Sequence, residues 1–208
     1  MLSWTHVHAY TNPLDGDYLS PAALNRALEL AQMAVCFDAR LPQANAQLGY
    51  VLLFKHRHDD AIAEFERAFA LNPNFIDYRF AVALMFAGEP TRAIEVLEAS
   101  IRLDPFQPSH VLGHIGVANY MLKRYGEAVR LMRDCASRLP NLQWPHLSLA
   151  AAYAQSGELD ESRAEAAEVL RINPAFTIES WKRILVYKDP KDAEHRIDGV
   201  RKAGLPES

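Results

Sequence analysis

The chain has 208 residues, of which 50% are hydrophobic and 23% are charged, and its formal net charge is −4 at pH 7. These proportions are typical of a folded protein that buries a core. The small acidic excess, without a basic stripe, argues against a nucleic-acid surface, because such surfaces must neutralise phosphates.

The N-terminal stretch MLSWTHVHAYTNP has neither the cationic start nor the apolar core of a leader sequence. The longest apolar run, residues 80–87, is too short to cross a bilayer. Cys36 and Cys135 fall in predicted helices and have neither metal-ligand nor redox spacing. We therefore expect a cytoplasmic protein without a membrane span, with both cysteines reduced.

The first 41 residues predict a partial repeat. PAALNRALELAQMAVCFDA, residues 21–39, has the pattern of a helix, whereas its partner helix must fit into roughly the first ten residues, before the turn-rich TNPLDGD. The end of a helical-repeat array needs a polar cap, and this end has none obvious. We therefore expect the chain to be a fragment at its N-terminal side.

The stretch AEFERAFALNP, residues 63–73, returns in looser form as LMRDCASRLP and AEAAEVLRINP. The prolines that close these segments are at positions 73, 105, 140 and 174, so the spacings are 32, 35 and 34. A period near 34 residues made of two helices is the signature of tetratricopeptide repeats. We predict one all-α domain, a right-handed α-solenoid of about ten to thirteen helices without strands. The predicted full repeats are 42–73, 74–105, 109–140 and 143–174.

Small residues are predicted where the two helices of each repeat touch. On the first helices these are Gly49, Ala81, Gly116 and Ala150, and on the second helices Ala61, Ala93, Ala128 and Ser162. Gly88 and Gly157 are predicted to end first helices in the left-handed backbone region. Asp59 and Asp60 are predicted to supply acceptors and negative charge at the start of a second helix.

After Pro174 the pattern changes. TIESWKRILVY predicts one further helix, and DPKDAEHRIDGVRKAG predicts another, started by Asp189 with Pro190 and ended by Gly204. Residues 175–208 are therefore predicted to be a pair of C-terminal capping helices, whose polar faces suit the end of a solenoid.

Two stretches, LGYVLLFKHRHDDAIAEFERAFALNPN and YKDPKDAEHRIDGVRKAGLPE, resemble the tetratricopeptide region that follows the catalytic domain of bacterial class III adenylate/guanylate cyclases. The resemblance extends over essentially the whole chain. It implies a regulatory or interaction module of a bacterial signalling protein. No catalytic residue carries over, because nothing in the chain matches the cyclase catalytic domain.

The residues whose side chains suit catalysis or metal binding do not form a catalytic pattern. His110 and His114 are four apart on a predicted helix, but a third metal ligand is not evident, so we predict no metal site. The sequence has neither a nucleophile elbow nor a phosphate-binding glycine loop. We predict a protein without enzymatic activity and without a cofactor.

The first helices of a solenoid line its concave face. The residues predicted to point into this face, or to lie at its edges, are Tyr50, Phe54, Tyr78, Val82, Phe86, Val117, Tyr120, Met121 and Trp144. We call these nine residues the predicted groove. The positions that grip a peptide carboxylate in chaperone-binding relatives hold Ala46, Tyr50, Tyr78 and Val82 here, which argues against an acidic C-terminal tail as ligand.

The predicted groove allows two interpretations. It can bind an apolar or amphipathic segment, either of another protein or of a second copy in a homodimer. Alternatively, its side chains pack against neighbouring first helices or the C-terminal helices, because aromatics at helical spacing often belong to a core. A separate alternative for the function is a regulatory region of a nucleotide cyclase that acts in cis and has no independent partner.

Overall fold

The computed structural model describes residues 2–12, 15–106 and 109–208. Within these ranges the regular secondary structure consists of twelve α-helices, which confirms the predicted all-α solenoid. In chain order they are α1 Leu2–Thr11, α2 Pro21–Phe37, α3 Pro42–Phe54, α4 His58–Leu71, α5 Arg79–Phe86, α6 Pro90–Leu103, α7 Ser109–Met121, α8 Tyr125–Arg138, α9 Gln143–Ser156, α10 Leu159–Ile172, α11 Ile178–Lys182 and α12 Pro190–Lys202. Met1 of the predicted partial repeat, and residues 13 and 14 of the predicted turn TNPLDGD, lie outside the described residues.

Consecutive helices pack in pairs from α1 with α2 to α9 with α10, and each pair packs against the next. The first helices α3, α5, α7 and α9 also contact one another in sequence, so they form one continuous face. Buried apolar residues run through all the pairs as a single core. Among the described helices, none has both the length and the hydropathy needed to span a bilayer.

Close contact between paired helices occurs at the predicted small residues. A Cβ atom on Gly49 would lie 2.8 Å from the carbonyl oxygen of Ala61, and one on Gly116 would lie 3.2 Å from the carbonyl oxygen of Ala128. Real Cβ atoms seldom or never approach other atoms so closely, so glycine is what allows these helices to touch. The predicted contacts are confirmed at both sites.

Each turn inside the four full helix pairs contains one residue with a positive φ. Gly88 and Gly157 have φ values of 87° and 89°, as predicted, and His56 and Lys123 occupy the equivalent turns with φ values of 58° and 60°. Two of the turns therefore hold a side chain in the left-handed region that favours glycine.

The start of α4 differs from the prediction. Neither Asp59 nor Asp60 caps the helix, and the N-cap position is held by Arg57, whose side chain makes no capping hydrogen bond. Asp59 instead pairs with Lys188 at 2.7 Å, and Asp60 pairs with Arg57 at 2.7 Å. The predicted acceptor role is wrong, although the two negative charges lie in the first turn, where they favour the helix.

The C-terminal region contains less helix than the sequence predicted. Helix α11 has only five residues, capped by Thr177, and residues 183–189 are not helical. Helix α12 begins as predicted, with Asp189 accepting a hydrogen bond from the backbone N–H of Lys191 at 2.9 Å. We call residues 177–208 the C-terminal arm. It does not simply cap the solenoid, because α12 packs along α9.

Candidate peptide-binding groove

The residues of the predicted groove lie on successive first helices. Tyr50 and Phe54 belong to α3, Tyr78, Val82 and Phe86 to α5 and its N-cap, Val117, Tyr120 and Met121 to α7, and Trp144 to α9. The structure brings seven of them to the wall of one pocket, the exceptions being Tyr120 and Met121. None of the nine is fully exposed, and Phe54, Val117 and Tyr120 are buried.

Aromatic rings cross the groove from one helix to the next. The ring of His114 is stacked against Tyr78 at 5.1 Å on one side and against Trp144 at 4.7 Å on the other. Tyr50 and Phe54 meet edge to face at 5.2 Å. The face therefore presents a row of flat aromatic surfaces.

The C-terminal arm packs against two other residues of the predicted groove, Phe86 and Tyr120. Tyr187 lies against Phe86 with their ring centroids 4.6 Å apart, and Trp181, Val186 and Tyr187 are all buried. At the other end of the groove, the hydroxyl of Tyr120 donates a hydrogen bond to the backbone carbonyl of His195 at 2.9 Å. The arm thus spans the groove from α5 to α7.

Glycine allows the arm to approach closely. A Cβ on Gly199 of α12 would lie 2.9 Å from both the hydroxyl oxygen of Tyr120 and the Cβ of Ala151. Any larger residue at this position would push α12 away from α7 and α9. The contact is part of the reason why Tyr120 is buried rather than available to a ligand.

The non-helical part of the arm is bound through its backbone. His58 donates from Nε2 to the carbonyl oxygen of Val186 at 2.5 Å, and the N–H of Lys188 donates to the carbonyl oxygen of Phe86 at 2.8 Å. The ammonium of Lys188 lies 2.7 Å from a carboxylate oxygen of Asp59. Because residues 183–189 form no helix, these contacts replace the hydrogen bonds that a helix would supply.

At two positions these contacts distinguish between the two interpretations of the predicted groove, an open binding surface and packing within the chain. Phe86 and Tyr120 pack against the C-terminal arm, as the second interpretation held, so neither faces an open groove. The sequence pattern left packing against the C-terminal helices open as one alternative, but it did not indicate that residues 183–189 lie against Phe86. The available signal was the run Ile184–Leu185–Val186–Tyr187, which is more apolar than the end of a solenoid needs.

Burial shifts the pKa values of several side chains in and beside the groove. Burial raises the pKa of the hydroxyl groups of Tyr50 and Tyr120, so both remain protonated donors at neutral pH. Burial lowers the pKa of His114 to about 3, with the neighbouring charges of His110 and Arg196 acting in the same direction. The imidazole that is stacked in the groove is therefore neutral.

The two histidines of α7, His110 and His114, lie on one face without a third candidate ligand beside them among the described residues. The rings of His110 and His114 are 6.2 Å apart, and the described part of the chain holds no group of three or more potential protein ligands. The arrangement presents aromatic surface and hydrogen-bond donors. That the protein is not an enzyme stays a prediction.

Comparison with known proteins supports the repeat assignment. Residues 46–108 and 78–140 match the family model for the tetratricopeptide repeat. A search of curated proteins gives no significant match.

Solved structures share the fold at low sequence identity. The chain is similar to the tetratricopeptide repeat protein TTC0263 of Thermus thermophilus, with a TM-score of 0.65 and 18% identity over 96% of this chain and 99% of that one. It is also similar to MamA from Desulfovibrio magneticus RS-1, with a TM-score of 0.60 and 16% identity over 83% of this chain and 96% of that one. YrrB, described as a TPR protein with an unusual peptide-binding site, aligns with a TM-score of 0.53 and 18% identity over 76% of this chain and 81% of that one. At these identities the matches support the solenoid fold alone.

Proposed function

We propose that the chain is a protein-interaction scaffold whose concave groove binds an apolar, non-helical segment. The observation that carries the proposal is that a segment of this kind already lies there. Residues 184–188 of the C-terminal arm cross the groove, held by backbone hydrogen bonds and by aromatic contacts. The groove therefore has the chemistry to hold such a segment, whichever chain supplies it.

The bound residues indicate what a partner segment would contain. His58 and the carbonyl of Phe86 contact backbone atoms, so these two contacts do not depend on the side chains of the bound segment. The slot beside Phe86 holds the ring of Tyr187, and Asp59 holds the charge of Lys188. The preferred segment is apolar, with an aromatic residue followed by a basic one.

A partner must compete with the arm. An attached segment has an effective concentration in the millimolar range, so a free segment of the same sequence binds the intact chain only weakly. A second copy offers the same segment, and an exchange of arms between two copies would give the homodimer considered from the sequence. A partner from another protein needs better contacts or a weakened arm.

The proposal is tested with a fluorescent peptide of residues 181–189, WKRILVYKD, added to the full chain. We expect the Tyr187→Ser variant to bind this peptide at least tenfold more tightly than the wild-type chain, because its own arm lacks the ring that fills the slot beside Phe86. Anisotropy measures the affinity, and light scattering shows whether arms are exchanged between copies.

Two further variants define the site. Adding His58→Ala to Tyr187→Ser should weaken peptide binding, because the donor to the Val186 carbonyl is gone. Lys191→Ala, an exposed change on α12, should leave peptide binding at the wild-type level. Equal, weak binding by all variants, with unchanged mass in solution, would count against the groove as the interaction surface.

The cyclase association stays an alternative. The solved structures named above do not include a nucleotide cyclase, and the contacts of the arm are equally compatible with a module that acts in cis. An in-frame cyclase domain upstream of residue 1 in the native gene would favour that alternative.

A further inference from the structure

Between the groove and the C-terminal arm lies a pocket of about 260 Å³. Its described lining is mainly aromatic and aliphatic, and Arg196 is the one Asp, Glu, Lys or Arg side chain in it. Pockets for drug-sized molecules have volumes of about 300–1,000 Å³. This pocket is slightly smaller, so it suits a molecule of about one ring with a short polar group.

Arg196 is held in place by neutral partners. Its two terminal nitrogens donate to the hydroxyl of Tyr187 at 3.2 Å and to the hydroxyl of Ser148 at 3.0 Å. Its guanidinium lies over the ring of Trp181, 5.3 Å from the centroid. Among the described residues, no carboxylate oxygen lies within 4.0 Å of it.

A second arginine provides the comparison. Arg79 is also half-buried, but Asp77 binds it from two sides, with Nε–Oδ1 and Nη2–Oδ2 distances of 2.8 and 2.5 Å. The charge of Arg79 is thus compensated within the chain. Since a cation in a largely apolar site is costly without a counter-charge, Arg196 has a charge that a ligand can compensate.

The other polar groups of the pocket favour the same kind of ligand. Tyr50 and Tyr78 also line the pocket, and the hydroxyl of neither makes a hydrogen bond with the described residues. Burial raises the pKa of both, so they donate rather than carry negative charge. The imidazole of His114 adds no charge near neutral pH. The pocket therefore offers donors and one cation, but no carboxylate.

We propose that this pocket binds a small organic anion, a carboxylate carried on a flat apolar ring. The carboxylate accepts hydrogen bonds from the N–H groups of Arg196 that Tyr187 and Ser148 leave free, and the planar guanidinium matches its two oxygens. The ring lies among the indoles of Trp144 and Trp181, where aromatic surface replaces water. This inference does not depend on a protein partner.

Such a carboxylate has two possible sources. It can be a free acid, or the C-terminal carboxylate of a peptide that ends in an aromatic residue. Phenylacetate is the probe for the first source, and N-acetyl-Ala-Phe with a free carboxylate is the probe for the second. Each is compared with its neutral amide, phenylacetamide or the amidated peptide.

Intrinsic fluorescence provides the measurement. Trp144 and Trp181 line the pocket, whereas Trp4 is 49% exposed and stacks on His8, so the Trp4→Phe chain is used as background. We expect saturable binding of at least one acid, at least tenfold tighter than its amide. The acid that binds identifies the source.

Variants test the role of the charge. Arg196→Gln should reduce the affinity for the acid to that of the amide, and Arg196→Lys should retain part of the preference. Arg130→Gln removes an exposed arginine from α8 and should change nothing. If Arg196→Gln lowers the melting temperature, binding to the chain that keeps Arg196 is measured with added salt instead. Added salt should weaken binding of the acid and leave binding of the amide unaffected.

Three results would overturn the inference. The first is that neither acid shows saturable binding. The second is that acid and amide bind with equal affinity. The third is that a folded Arg196→Gln chain binds the acid as tightly as the parent chain does. Binding of the labelled 181–189 peptide is measured separately. Loss of probe binding alone would therefore leave the proposed protein-binding function standing.

Discussion

His58 and Val186 are 128 residues apart in the chain, yet the Nε2 atom of His58 donates a hydrogen bond to the carbonyl oxygen of Val186 at 2.5 Å. Both residues are buried, with 8% and 1% of their surfaces exposed. The bond joins the first turn of α4 to the non-helical part of the C-terminal arm. It satisfies a carbonyl that has lost its helical donor, so it couples the fold of the second helix pair to the position of the arm.

Replacing His58 by Ala should lower the free energy of unfolding by about 1–3 kcal/mol, because a buried carbonyl is left without its donor. Hydrogen exchange should rise first in residues 183–189. Asp60→Asn, in the same turn of α4, changes only an exposed ion pair and should leave exchange unchanged. Equal protection in both variants would show that the bond does not hold the arm.

Substitutions at two glycines distinguish the effect of close helix packing on stability from that of helix propensity. Gly49→Ala should cost about 1–3 kcal/mol, because its Cβ would lie 2.8 Å from a backbone carbonyl of α4 that cannot rotate away. Gly126→Ala is the matched control in α8, since a Cβ there meets nothing within 4 Å. It should leave stability unchanged or slightly higher. Urea unfolding measures both, and equal stabilities would contradict the assigned contact.

The left-handed turns give a prediction of opposite sign. Lys123 has a φ of 60°, which costs a residue with a Cβ about 1–2 kcal/mol, so Lys123→Gly should raise stability by up to about 1 kcal/mol. Gly157→Ala should lower it by a similar amount, because a Cβ there meets nothing and only backbone strain changes. Thermal melts that move in the same direction for both would contradict this account.

The fold was predictable because the same sequence pattern recurs in several repeats. The spacing of Gly49 and Gly116 from the alanines they contact, and the prolines that end the second helices, each repeat with the same period. Because several repeats show this pattern, the prediction does not depend on the interpretation of any single repeat. At Asp59 and Asp60 the local prediction failed because both carboxylates form ion pairs instead of capping the helix, Asp59 with the distant Lys188 and Asp60 with the neighbouring Arg57.

Only the part of the candidate site that lies on the first helices was predictable from the sequence. Helical spacing placed Tyr50 and Phe86 on the concave face, but spacing within the repeats carries no information about residues 183–189. Their path depends on contacts with α4 and α5, more than 90 residues away in the case of Phe86 and Lys188. Only the tertiary structure brings such distant residues together, so the occupied groove could not be derived from periodicity.

The stacked imidazole of His114 should make stability depend on pH. Burial lowers its pKa from 6.5 to about 3, and the charges of His110 on its own helix and Arg196 on α12 act in the same direction. Tyr78 and Trp144, which sandwich the ring, are uncharged near neutral pH. Between these two pKa values the unfolded chain binds a proton that the folded chain does not.

The folded state should therefore lose stability as the pH falls from about 6.5 towards 3, by up to about 1.4 kcal/mol per pH unit for this one group. His114→Phe keeps an aromatic ring between Tyr78 and Trp144 but removes the titrating group. Urea unfolding at pH 7.5, 5.5 and 4.5 should thus show a shallower loss in the variant than in the parent. Depressed carboxyl pKa values, such as that of Asp198, cause losses in acid that both chains share. Parallel pH profiles for the two chains would mean that His114 takes up its proton while the protein is folded.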